Sequence, residues 1–130
     1  MSHAQNEERA AAILGRRASG LLAQDEALGE LADADCVLAI ASVLAERLRL
    51  RAETVLRALE ADSDEVITVM CRAAGFRLNS YSAVLRMRRR RHHGIESAPV
   101  HALTFFSALS LASAERLLPR LAAALGPLEN

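Results

Sequence analysis

The sequence predicts an all-α fold: a compact bundle of stacked helical hairpins, arranged as a short α-solenoid. Three observations point there. Apolar residues recur at helical spacing along almost the whole chain, and no segment alternates with period two. The composition is 52% hydrophobic but only 3% aromatic, with Ala the commonest residue and Leu the next. One helix–turn–helix pattern returns after 26 residues. A chain of 130 residues makes one domain. It buries roughly two-thirds of the surface its unfolded form exposes, so no disulfide or metal is required to hold it.

The elements follow in order. Residues 6–24 predict a helix with Ile13, Leu14, Ala18, Leu21 and Leu22 on one side, weakened by Gly15 and Gly20. Residues 1–24 are therefore read as an N-terminal arm, with residues 25–126 as the domain proper. A short helix carries Leu28 and Leu31. Asp35 is expected to cap the next, on which Val37, Ile40, Ala41, Leu44 and Leu48 align. Arg47 and Arg49 near its end suit the negative pole of the helix dipole. Residues 52–60 give a helix with Val55, Leu56 and Leu59. Asp62 or Ser63 is expected to cap the following one, with Asp64 and Glu65 in its first turn. Val66, Val69, Met70 and Ala73 form its stripe, and Gly75 ends it at C′. Asn79 or Ser80 should cap a helix that turns Tyr81, Val84 and Leu85 inward, runs out in Arg88 to Arg91 and stops before Gly94. Pro99 suits the first position of a helix bearing Leu103, Phe106 and Leu109. Ser110 is expected to cap the last, with Leu111, Ala114, Leu117, Leu118 and Leu121 as its stripe. Pro119 should kink or restart it, and Gly126-Pro127 closes the domain.

Shifted by 26 residues, Ile40, Val43, Leu44, Leu50, Arg51, Thr54, Val55, Ala58 and Leu59 fall on Val66, Val69, Met70, Phe76, Arg77, Ser80, Tyr81, Val84 and Leu85. The unit is a helix, a turn with an apolar residue followed by Arg, an expected Thr or Ser cap, and a second helix. Such a hairpin cannot bury its apolar face alone, so its neighbours must stack on it.

Sixteen arginines balance sixteen acids, and there is no lysine. The neutrality is divided: residues 1–71 carry a formal −6 and residues 72–130 a formal +6. This excludes a disordered tail, a disulfide-rich secreted module and a uniformly basic nucleic-acid binder. Residues 1–9 are polar and mixed in charge, unlike a secretory leader. The longest stretch free of Arg, Asp and Glu, Ser97 to Ala114, is too polar for lipid. Cys36 and Cys71 sit in apolar patterns and are expected to be buried thiols in a reducing cytoplasm.

The run Ala52-Glu53-Thr54-Val55-Leu56-Arg57-Ala58-Leu59-Glu60, then Ala61-Asp62-Ser63, resembles a bacterial family catalogued as domain of unknown function 2336. So do the segment Met70-Cys71-Arg72-Ala73-Ala74-Gly75-Phe76, the continuation through Tyr81 and Val84-Leu85-Arg86-Met87-Arg88, and the stretch from Phe105-Phe106 to Leu118. The resemblance covers about residues 30–120 and the C-terminal part of family members, which carry HEAT-like helical repeats upstream. It implies an all-helical, HEAT-like architecture and, by analogy, a binding role; it brings no catalytic residue with it.

The strongest local signal is the arginine run. Arg86, Arg88, Arg89, Arg90 and Arg91 lie together with no acid nearby in sequence, and guanidinium forks bind carboxylate and phosphate bidentately. A solvated helix end complementing the dipole is the plainer reading. Phe105 and Phe106 cannot both face the core from one helix, so Phe105 joins the candidate partner-binding residues. The turn at Gly75 is too long for a tight helix-turn-helix reader, and the acids of its first helix repel DNA. His92, His93 and His101 lack metal-ligand spacing, and no nucleophile or phosphate-loop motif occurs. No catalytic residue, metal or cofactor is therefore expected. The expectation is a non-enzymatic, cytoplasmic interaction or regulatory module. Its basic helix end would contact an acidic protein partner, with a homodimer as one candidate assembly and no membrane contact. The alternative is a nucleic-acid-associated regulator using the arginine run for backbone contacts.

Overall fold

The structure is a computed structural model that describes residues 3–18, 24–91 and 99–125. Among these it is all-α: α1 (His3–Ala18), α2 (Gln24–Asp33), α3 (Val37–Leu48), α4 (Ala52–Glu60), α5 (Glu65–Ala73), α6 (Leu78–Arg91), α7 (Pro99–Ala108) and α8 (Leu111–Ala124). The helices pack in pairs. α3 lies on α4 as the sequence repeat requires, whereas α6 packs chiefly on α2, and α5 chiefly on α8. Expectations for Leu21, Leu22, Gly20, His92, His93, Gly94 and Gly126-Pro127 lie outside the described residues.

α5 is the central helix. Ile67, Thr68, Val69, Met70 and Cys71 are all buried, because α3, α4, α7 and α8 all pack around it. These neighbours cover a wide face of α5, so Ile67 enters the core, whereas Val66, named for the stripe, is only partly buried. The main core joins Leu28 and Leu31 of α2, Ile40 and Leu44 of α3, Val55 and Leu59 of α4, Met70 of α5 and Tyr81, Val84 and Met87 of α6. A second cluster, Val69, Leu109 and Ala114, seats α8 through Leu117, Leu118 and Leu121. The Tyr81 ring stacks on Phe106 with centroids 4.4 Å apart. Leu111, expected in the α8 stripe, is 44% exposed.

Three helices end in the same way. Asp35, Arg49 and Gly75 each hold a positive φ, of 57°, 59° and 83°. Beyond each, the next residue's N–H reaches back to the helix: Cys36 to the Leu31 carbonyl, Leu50 to Ala45 and Phe76 to Cys71, at 2.9–3.1 Å. These are Schellman closures. Arg49 and Gly75 are 26 residues apart, as are their acceptors, so the sequence repeat is also a repeat of turn geometry.

The cap expectations need correction. Asp35 is the left-handed residue closing α2 and does not cap α3; Cys36 takes the N-cap position, and its thiol turns back to the Ala34 carbonyl and makes no capping bond. Asp64 directly precedes α5 and makes no capping bond; the helix start is served by Ser63, one of the two expected residues, whose hydroxyl accepts the Glu65 N–H at 3.1 Å. Asn79 and Ser80 lie inside α6, which starts at Leu78. Its N-terminus is served from α2: the Asp25 carboxylate accepts the Arg77 N–H at 2.8 Å, and the Ser80 hydroxyl donates to the Asp25 carbonyl. Ser110 caps α8 as expected, and that helix continues through Pro119 without restarting.

Candidate functional site: two arginine clusters

The arginine run lies on the last turns of α6, and most of it is paired with acids of the same fold. Arg88 is 1% exposed. Its guanidinium bonds the Asp64 carboxylate and the carbonyls of Ala58, Leu59, Ala61 and Ser63, at 2.5–3.1 Å. One side chain thereby gathers the α4–α5 connection onto α6. Arg89 reaches the other Asp64 oxygen at 3.2 Å. Arg90 bonds the Asp35 carboxylate and the Ala32 carbonyl, which ties α6 to the end of α2. Arg86 stands 3.6 Å from Asp33, both side chains well exposed. Arg91 is exposed and has no bonding partner among the described residues. Arg88, proposed from sequence as a partner contact, is thus a buried structural residue. Arg89 and Arg90 are engaged within the fold, which leaves Arg86 and Arg91 as the open members. The signal for Arg88 was in the spacing: it follows Tyr81 by seven residues and Val84 by four, on the inward stripe. Nothing in sequence could pair it with Asp64.

Phe105 is half-buried. It packs on the second cluster and lines a cleft of about 280 Å³ with Ser63, Asp64, Glu65, Thr68, His101 and Ala102. The buried polar groups of this cleft, Asp64 and Thr68, are already engaged. Asp64 is held by two arginines, and the Thr68 hydroxyl donates to the Asp64 carbonyl and pairs with the Tyr81 hydroxyl. Burial pushes the Tyr81 phenol above its ordinary range, the Thr68 contact offsetting only part of the effect. Burial likewise pushes the Cys71 thiol up to about 12, so it is inert near neutrality. Desolvation also raises the Cys36 thiol. Neither cysteine is in a disulfide, and both are buried. Among the described residues, no group of three or more His, Cys, Asp and Glu is placed to hold a metal ion. No described helix is long and apolar enough to cross a membrane.

A second arginine cluster, which sequence reasoning passed over as helix-end charge, lies at the α3–α4 and α5–α6 turns. Arg47 connects the two. Its Nε donates to the Ala74 carbonyl at 2.7 Å, and its guanidinium lies 5.8 Å from the centre of the Phe76 ring. Arg49 and Arg51, on the turn that follows Arg47, and Arg77, on the turn that it reaches, are exposed, and none of their guanidinium groups has a hydrogen bond or ion pair among the described residues. Leu78, next to Arg77, is 42% exposed. Arg49 takes the left-handed position that glycine holds in the equivalent turn, a conformation unfavourable for a residue with a Cβ. The available signal was the repeat, which aligns Arg51 with Arg77.

Comparison with family models, with curated proteins and with solved structures finds no match.

Proposed function

We propose that this chain is a non-enzymatic, cytoplasmic helical module that binds an acidic protein partner in an interaction or regulatory role. Its helices would extend a stacked-hairpin, HEAT-like arrangement, as in the C-terminal part of the domain-of-unknown-function 2336 family. One observation carries the reading: the buried polar groups are committed to the fold, while several arginines stand exposed with no hydrogen bond or ion pair among the described residues. Asp64, Arg88, Thr68, Tyr81 and Cys71 are all buried, whereas Arg49, Arg51, Arg77 and Arg91 are exposed beside surface residues such as Leu78 and Val100. Guanidinium forks on a rigid helical frame favour carboxylate partners, and arginine is enriched where proteins meet.

The test is fluorescence anisotropy with a labelled Glu/Leu helical peptide and a labelled DNA duplex of similar length, at low and physiological salt. Saturable binding that favours the peptide supports the reading. Tighter binding to the duplex, weakening steeply with salt, would favour the nucleic-acid-associated alternative. No binding to either probe overturns the reading.

A further inference from the structure

We infer that the paired turns, and not the α6 arginine run, form the docking surface for the acidic partner. Arg49, Arg51 and Arg77 would clamp carboxylates of an acidic amphipathic helix around Leu78. The inference rests on the acidic-partner reading above and adds the place and the form of the contact.

Three facts support it. First, these side chains are open. In the α6 run, Asp64, Asp35 and Asp33 face four of the five arginines, and a partner there would compete with intramolecular carboxylates. At the turns, Asp25 of α2 accepts the Arg77 backbone N–H and leaves the guanidinium exposed. Second, the frame is stiff. Arg47 ties the end of α3 to the α5–α6 turn through the Ala74 carbonyl and the Phe76 ring, and both turns are Schellman closures. The arginines therefore project from fixed backbone, so their placement adds little ordering cost on binding. Third, the surface is mixed. Leu78 is exposed next to Arg77, while Glu46 and Glu53 flank the first turn on α3 and α4. A continuous phosphate backbone would meet those two acids and gain nothing from Leu78. A peptide helix with acids on one stripe and an apolar residue beside them can pair with the forks and cover the leucine.

The experiment compares three chains by anisotropy with the same labelled Glu/Leu peptide. They are the wild type, the turn variant Arg49→Gly/Arg51→Ala/Arg77→Ala, and the α6-end variant Arg86→Ala/Arg91→Ala. The replaced side chains make no hydrogen bond, apart from the exposed Arg86–Asp33 contact, and circular dichroism checks that each variant keeps its helices. The turn variant should lose about tenfold or more in affinity, and the α6-end variant less than about threefold. A turn variant that binds like wild type, with the α6-end variant weakened, overturns this inference and leaves the acidic-partner reading standing. Failure of the wild type to bind overturns the reading itself. As a second readout, Arg51→Lys/Arg77→Lys should not restore full affinity, because an ammonium keeps the charge but lacks the fork. Full restoration would overturn the bidentate clamp.

Discussion

Arg88 on α6 and Arg49 in the α3–α4 turn are the same side chain in opposite surroundings. Arg88 is enclosed by one carboxylate and four carbonyls. Arg49 points into solvent from a backbone position that suits glycine. A high local density of arginine in the sequence thus marks a structural clasp, and the sparser set spread over two turns marks the open surface. Charge density alone does not distinguish these cases. What separates them is whether the helical period turns the side chain toward the core and whether the fold brings an acid to meet it.

The largest effect should come from breaking the clasp. Arg88→Met removes the bonds to four carbonyls and takes from the buried Asp64 its Arg88 partner, so urea denaturation should show a loss of about 3–5 kcal/mol. A loss under about 1 kcal/mol would mean that the buried network is not integral to the fold. The same buried region sets an alkaline limit. The folded chain holds the Cys71 proton to about 12, whereas an exposed thiol releases it near 9.0. Here the unfolded state gives up its proton first, so stability is unaffected below about pH 9 and falls as pH rises toward 12. Tyr81 acts in the same direction at higher pH. Thermal melts across this range should show the decline, and Cys71→Ala should flatten its first part.

The two equivalent turns give a smaller and more pointed contrast. Gly75→Ala places a Cβ at φ +83°, where space is adequate but the backbone is not, and should cost about 1–2 kcal/mol. Arg49→Gly is the reverse exchange and should raise stability by about 0.5–1 kcal/mol while weakening peptide binding. A variant that is more stable and binds less well would separate the two roles of that position. Arg51→Ala should change stability by less than about 0.5 kcal/mol, because it removes an exposed, unpaired side chain.

Much of the helical frame was legible in sequence because each helix carries its own period and many stops are local. Gly75, the Ser110 cap and the start at Pro99 are read from neighbours a few residues away. The failures involve distant partners. Asn79 and Ser80 look like caps for α6, but the group that serves its N-terminus is Asp25, 52 residues earlier. Asp35 and Asp64 have cap chemistry at cap positions, yet their carboxylates go to Arg90 and to Arg88 and Arg89. The candidate site divided in the same way. Exposed Arg91 follows from sequence alone, whereas the inward turn of Arg88 was legible and its carboxylate partner was not. The open turn cluster was visible only as a faint register match between Arg51 and Arg77.

The α2–α6 contact has a consequence for how the chain acquires its structure. α3 and α4 meet across a short connection and can associate as soon as they are made. α6 must wait for α2, because the carboxylate at its first turn and the carbonyl that Ser80 bonds both belong to Asp25. Closing that contact loops more than 50 residues, with α3, α4 and α5 inside the loop. Contacts of such range are entropically slow to form. Refolding should therefore be limited by arrival of α6 on α2, with the α3–α4 hairpin already in place. Substitutions at Asp25 should slow folding more than equally destabilising ones in α4.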